Sequence, residues 1–190
     1  MTVKPLEKRF SDERIRRSIA RILRENVLCS MSTVAPGNRP HINTAYFAYT
    51  PDLVLYFLSD PSSRHCRNLE RNPSLAMTIF RSKQEWGGQD RGLQLVGMCR
   101  QTRGQGARDA ERTYAARFPP YGKWMAGLSP AERRQAALLR SYGFYRFLPR
   151  RIKILDEREF GGAIFVTAAV VRAPRSKTIV SWSVTELLSP

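Results

Sequence analysis

The chain has 190 residues, of which 42% are hydrophobic and 25% charged, with 9 Phe, 7 Tyr and 3 Trp. That is enough apolar material for one sizeable core, too little length for two, and too aromatic a composition for intrinsic disorder. No stretch approaches the roughly 18–20 consecutive apolar residues that cross a bilayer, and the opening MTVKPLEKRFSDER has no apolar core of the kind a secretion signal needs, so a cytoplasmic protein without a membrane partner is expected.

Lys and Arg number 32 against 16 Asp and Glu, a net charge of +16 at pH 7, which draws nucleic acid, nucleotides and phosphorylated cofactors alike. Cys29, Cys66 and Cys99 are odd in number and far apart, and only 2 histidines accompany them. A disulfide framework, a structural zinc site and any other metal centre are therefore unsupported, and three buried thiols in a reducing compartment are expected.

In chain order, Ser11 reads as an N-cap, with Asp12 and Glu13 in the positive first turn and Ile15, Ile19, Ile22, Leu23 and Val27 at helical spacing. Arg14, Arg17, Arg21 and Arg24 occupy the opposite side of this helix. A groove-binding face for nucleic acid would interleave aromatics or amides with those arginines, and none is present, so a solvated surface is the better reading. Val27–Val34 reads as a strand, Ala35-Pro36-Gly37-Asn38 as a turn, His41–Thr50 as the returning strand, Pro51-Asp52 as a second turn and Leu53–Ser59 as an apolar strand. Asp60-Pro61 then predicts a helix opening at Pro61 and running to Arg71, where Asn72-Pro73 ends it.

Leu75–Arg81 and Gly92–Thr102 read as further strands across the polar connection SKQEWGGQDR. Gly104-Gln105-Gly106 lacks the third glycine of a dinucleotide fingerprint and reads as a turn. A helix is expected over Ala107–Phe118, broken by Pro119-Pro120-Tyr121-Gly122, and another from the capping box Ser129-Pro130-Ala131-Glu132 to about Arg140. Tyr142–Leu148 and Arg151–Leu155 look like a hairpin turned at Pro149-Arg150, and Gly161-Gly162 introduces a strand over Ala163–Val171. Strands joined by turns too short for crossover helices describe a mainly β (α+β) fold, a small closed or nearly closed antiparallel barrel with peripheral helices, which the resemblance given below makes a split β-barrel. One domain over 1–171 is expected, with 172–190 as a C-terminal extension that carries a β-like TIVSWSV run.

Nucleophile-elbow, zinc-protease and Walker motifs are absent from the sequence. The informative segment is SDPSSRHCRNLERNP, Ser59 to Pro73, where a strand runs into a helix that presents Ser62, Ser63, Arg64 and His65. Hydroxyls, a guanidinium, an imidazole and unpaired backbone N–H groups at the positive end of a helix make a phosphate cradle. Trp86, Trp124, Trp182 and Tyr46 are candidates to stack on a planar ligand, though core or interface is the commoner place for a Trp; Trp86, in the polar connection, is expected to be exposed and to cover a pocket. His41 reads as a strand histidine rather than a ligand.

Arg39-Pro40-His41, the Ser63-Arg64-His65 helix closed by Asn72-Pro73, and Arg91-Gly92-Leu93-Gln94-Leu95-Val96-Gly97, in that order, resemble the FMN-binding split-barrel superfamily typified by pyridoxamine 5′-phosphate oxidase. The resemblance covers roughly residues 12 to 160. It implies a homodimer with two FMN sites at the subunit interface and an oxidoreductase that exchanges hydride or electrons with a small substrate. It also implies that Ser63, Arg64 and His65, with Ser59 before them, face the phosphate; that Asn43, Thr44, Ala45 and Tyr46 edge the flavin ring; and that Gln94, preceded by Gly92, supplies an amide. The oxidase pattern carries an arginine where this chain has Asn43 and a lysine where it has His65. Its terminal W-R-L-x-P motif is only partly matched by Arg146-Phe147-Leu148-Pro149, so pyridoxine synthesis is not implied, although Arg146, Arg150 and Arg151 remain available to an anionic substrate. The same fold with a deazaflavin (coenzyme F420) or haem, and a basic nucleic-acid-binding protein, are the competing readings.

Overall fold

The computed structural model describes residues 3–5, 10–171 and 179–188. The chain folds into two compact units, one from Met1–Ser30, Ala76–Gly97 and Pro149–Pro190, the other from Met31–Leu75 and Met98–Leu148.

In the first unit, α1 (Asp12–Glu25) begins where expected, with Ser11 Oγ accepting from the Arg14 N–H at 3.4 Å. Its 3.6-residue period turns Ile15, Ser18, Ile19, Ile22 and Leu23 inward. The C-terminal half of β7 (Gly143–Asp156) pairs antiparallel with β8 (Ile164–Val171) over Arg151↔Ala169 to Leu155↔Phe165. β8 pairs in turn with β9 (Ile179–Leu188), and β9 with β1 (Val3–Pro5). Trp182 stands in β9 opposite Ala168. Positions 172–178 and 189–190 of the expected extension lie outside the described residues. Asp156 is completely buried: its carboxylate accepts from Ser18 Oγ at 2.6 Å and from Arg21, and it caps α6 (Glu157–Phe160) by accepting from the Glu159 N–H at 3.2 Å.

In the second unit, β2 (Leu28–Ala35, entering from the first) and β3 (Arg39–Tyr49) are joined through Gly37 and Asn38, whose φ values of 75° and 56° are those of a primed hairpin turn. β3 pairs with β4 (Leu55–Ser59) over Phe47↔Phe57 to Tyr49↔Leu55, and β4 with the first half of β7 over Leu55↔Phe147 to Ser59↔Gly143. The aromatic interior packs by ring: Phe57 stacks on Tyr145 at 5.2 Å, while Tyr114, Tyr121 and Phe144 meet edge to face. β5 (Ser74–Phe80) and β6 (Arg91–Gln101) belong to both units, with Ala76–Phe80 and Arg91–Gly97 in the first.

Four expectations are corrected. The supposed hairpin over 142–155 is the single strand β7, continuous through Pro149. Pro149 and Arg150 fall between the residues that pair with β4 and those that pair with β8, where the strand changes partners on that edge. The inward phase also shifts there, with Tyr145, Phe147 and Pro149 buried on one side and Ile152, Ile154 and Asp156 on the other. Gly104-Gln105-Gly106 is not a turn but the opening of α3 (Gly104–Arg117). Pro119-Pro120-Tyr121-Gly122 does break the helix, α3 stopping at Arg117, but it also opens one that was not expected: Pro at the first positions of a helix is compatible with it, and α4 (Pro119–Ala126) starts there and ends at Gly127 with φ 63°. The fourth concerns α2, described below. α5 (Pro130–Arg140) carries the expected capping box, Ser129 Oγ accepting from the Glu132 N–H at 3.2 Å and Glu132 from the Ser129 N–H at 2.8 Å. All three cysteines are buried and none is in a disulfide. Among the described residues no helix is long and apolar enough to cross a membrane.

Candidate functional site

The second unit gathers eight of the ten expected site residues on β3, β4 and the start of α2 (Arg64–Arg71). The helix opens three residues later than expected. Asp60 turns the chain first: its carboxylate accepts from the Ser62 N–H at 2.8 Å and its carbonyl from the Ser63 N–H at 3.0 Å, a local Asx arrangement that competes with helix. The Ser62 backbone N–H, and then the Ser62 hydroxyl, hold the Asp60 carboxyl below its ordinary value. Ser63 is thus the N-cap residue, Ser62 lies outside the helix, and Arg64 and His65 are its first two residues.

This delay brings three side chains together. Ser59 Oγ, at the end of β4, lies 2.7 Å from His65 Nε2, and Ser63 Oγ lies 3.2 Å from the same nitrogen. His65 also tilts against Phe57 with ring centres 6.4 Å apart. Burial, and then the neighbouring His41, push the His65 pKa below its ordinary 6.5, so the ring is neutral at pH 7. A histidine with a lowered folded-state pKa contributes full stability above 6.5, and that contribution is lost as pH falls below it, because the unfolded ring takes the proton first. We expect the stability of the parent protein in urea to fall as pH drops below 6.5, and His65→Gln, which has nothing to titrate, to flatten that slope. An equal slope in both proteins would place the titrating group elsewhere.

Arg64 is exposed beside this cluster. On β3, Asn43 and Ala45 face inward while Thr44 and Tyr46 face out, Tyr46 meeting Phe118 edge-on at 5.7 Å. The Asn43 amide oxygen is buried and has no hydrogen-bond partner among the described residues. His41 stays a strand residue whose carbonyl accepts from Thr33 Oγ1 at 3.4 Å. Arg146, Arg150 and Arg151 are exposed.

The remaining two expected residues, Gly92 and Gln94, lie in the first unit. Both line a cavity of about 230 Å³ bounded by Phe80, Arg91, Lys153 and Phe165 among others. A side chain at Gly92 would be tightly met: a Cβ there would stand 3.2 Å from the Ile79 carbonyl oxygen and 3.2 Å from Phe80 Cβ. Trp86 is fully exposed and is not part of this wall, whereas Gln84 is, and its side chain accepts from the Arg91 N–H at 2.8 Å. Sequence reasoning missed Lys153, Thr78 and Phe165; the alternation of β5, β7 and β8 puts them on the face opposite the buried Met77 and Ile79, Ile152 and Ile154, and Ile164 and Val166, where no apolar pattern marks them. Among the described residues no group of three His, Cys, Asp or Glu side chains is placed to hold a metal.

The antiparallel strands with peripheral helices are those of the split-barrel class of folds. The model of the pyridoxamine 5′-phosphate oxidase family matches residues 15–154, and the chain belongs to that family. No curated protein matches the sequence. Among solved structures the chain is similar to a pyridoxamine 5′-phosphate oxidase-related, FMN-binding protein from Nostoc punctiforme, at 16% identity and a TM-score of 0.57 over 88% of this chain and 95% of that one. It is also similar to HutZ, the haem storage protein of Vibrio cholerae, at 21% identity and a TM-score of 0.53 over 70% and 88%. General stress protein 26 of Bacillus anthracis aligns at 15% identity and a TM-score of 0.52 over 74% and 93%. These likenesses bear on the fold.

Proposed function

We propose that this is a homodimeric, cytoplasmic FMN-binding oxidoreductase, folded as one cofactor-binding domain over 1–171, that exchanges hydride or electrons with a small substrate. The observation that carries the reading is the convergence of Ser59, Ser63 and His65 at the first turn of α2, within the segment matched by the family. The donor set fits a phosphate dianion: two rotatable hydroxyls, an exposed guanidinium, and first-turn N–H groups without intrahelical acceptors. Ser59, Ser63, Arg64 and His65 would hold the phosphate. Asn43, with its buried and unpartnered amide oxygen, offers an acceptor to a ring N–H, and Thr44, Ala45 and Tyr46 continue along the same strand. Gly92 and Gln94 are the proposed contribution of β6. Bound FMN supplies hydride and single-electron chemistry; the protein supplies position and hydrogen bonds.

Haem is the second reading, favoured by the printed function of one structural neighbour. It requires a histidine nitrogen to leave its present partners, and Nε2 of His65 is engaged by Ser59 at 2.7 Å. The test is the visible absorption spectrum of freshly purified protein before and after heat denaturation, with mass identification of whatever is released. A flavin spectrum with FMN in the supernatant supports the proposal. A Soret band moves the assignment to haem and to His41 and His65. A colourless protein that refuses added FMN overturns it and leaves a deazaflavin or nucleic acid, the latter recognisable by affinity that collapses with salt.

A further inference from the structure

We propose that the helical hairpin of α4 and α5 is a docking face for a lipid surface with anionic headgroups, a contact independent of the cofactor reading. Between residues 119 and 140 the chain holds four cations, Lys123, Arg133, Arg134 and Arg140, against one anion, Glu132. The fold uses part of the hairpin: Tyr121, Met125 and Leu139 pack onto Tyr114 and Phe144, and Ala136 is completely buried. Outside that packing three large apolar side chains stand in water, Leu128 with 81% of its surface exposed, Leu138 with 53% and Trp124 with 41%. Arg134 and Leu138, four residues apart, share the side of α5 that faces away from Glu132, Ala136 and Leu139.

The tip of the hairpin is built, not loose. The chain turns at Gly127, whose carbonyl accepts from Arg133 Nη1 at 3.3 Å, and the capping box at Ser129 follows at once. Lys123 Nζ lies 3.8 Å from Glu132 Oε1, so Leu128 projects from a fixed turn with Lys123 and Arg133 held beside it. Glu132 is engaged in that turn, and Arg133, Arg134 and Arg140 meet no carboxylate among the described residues. The arginines of α1 differ: Arg14, Arg17 and Arg21 lean on Glu159, Glu13 and Asp156. Charge selects an anionic partner and argues against a second copy of the same basic face. A leucine neither stacks on a base nor bonds to a phosphate, so nucleic acid would leave Leu128 unused. The fluid boundary of a bilayer accepts a projecting leucine and tryptophan without the preformed pocket a protein partner would have to provide, while headgroup phosphates meet the cations. Such a contact lies on the surface and needs no spanning helix, and the described residues contain none.

Cosedimentation of the intact protein with vesicles of equal parts phosphatidylcholine and phosphatidylglycerol tests this, with pure phosphatidylcholine as the uncharged comparison. Saturable binding to the anionic vesicles is expected, and little to the uncharged ones. Leu128→Gln should weaken it about fivefold or more. Arg133→Glu with Arg134→Glu should weaken it about tenfold or more. Arg16→Glu with Arg24→Glu changes the net charge equally from exposed positions of α1 and should weaken binding less than about threefold. Absence of binding to the anionic vesicles overturns the proposal. Equal loss in the two charge-reversed proteins also overturns it, since net charge alone would then account for the contact, and so does unchanged binding in Leu128→Gln. If the double variant on α5 fails to fold, Arg134→Glu and Arg24→Glu are compared singly, with the same outcomes. Loss of affinity for a single-stranded oligonucleotide in the α5 variant, with vesicle binding unchanged, overturns the proposal in favour of nucleic acid. Because sedimentation is read rather than colour, a protein that carries no flavin leaves this result standing, and a protein without lipid affinity leaves the flavin reading standing.

Discussion

Asp156→Ala is expected to destabilise the protein by about 3–5 kcal/mol, the usual cost of removing one partner from a buried charge pair. Asp156 has no solvent exposure, and three groups depend on it: Ser18 Oγ at 2.6 Å, the Arg21 guanidinium, and the Glu159 N–H at 3.2 Å. Alanine leaves a buried hydroxyl and the first turn of α6 without an acceptor, and it leaves Arg21 leaning on Glu159 alone at 3.5 Å. Arg21 Nε already lacks a partner among the described residues, so little capacity remains to absorb the loss. Asp156→Asn keeps acceptor and shape while removing the charge, and its effect should fall between parent and alanine. Urea unfolding at constant m-value checks the order. An alanine variant within about 1 kcal/mol of the parent would show that Glu159 satisfies the arginine unaided.

That node illustrates what a single sequence hides. Asp156 stands in DERE, which reads as an exposed acidic run, and nothing local marks it as the buried anion that ties α1 to the end of β7. Elements set by nearest neighbours were legible: the Ser11 cap, the Gly37-Asn38 hairpin turn, the box at Ser129 and the stop at Asn72-Pro73 all rest on contacts within four residues. Elements set by distant partners were not. Pro149-Arg150 looked like a turn, yet the strand continues because its two halves answer to different neighbours, β4 and β8. The candidate phosphate residues divide the same way. Ser63, Arg64 and His65 are neighbours in the chain and could be read together. The closer bond, Ser59 to His65, exists because Asp60 delays the helix by a turn and folds the strand end back over it. Lys153 and Phe165 gave no signal, since their meeting requires the β7–β8 register.

Arg64→Ala is expected to lower affinity for FMN by at least about tenfold while leaving affinity for riboflavin, which lacks the phosphate, close to the parent's. The contrast isolates the phosphate, because both ligands share the ring that β3 is proposed to edge. Arg64 is exposed in the structure, so solvent screens its charge and the effect should lie near the low end for charge-assisted hydrogen bonds. The neighbouring imidazole cannot compensate at neutral pH, since burial and His41 keep it uncharged. A lysine there carries a charge that this histidine lacks, so His65→Lys should move FMN affinity the other way and widen the gap to riboflavin, as should Asn43→Arg if its longer side chain is accommodated. Fluorescence titration of both ligands on each variant separates the possibilities. Equal weakening of FMN and riboflavin in Arg64→Ala would mean that the residue supports the fold or the ring and not the phosphate. No change in either would remove the start of α2 from the cofactor site, and with it the proposal that Ser59, Ser63 and His65 hold a bound phosphate.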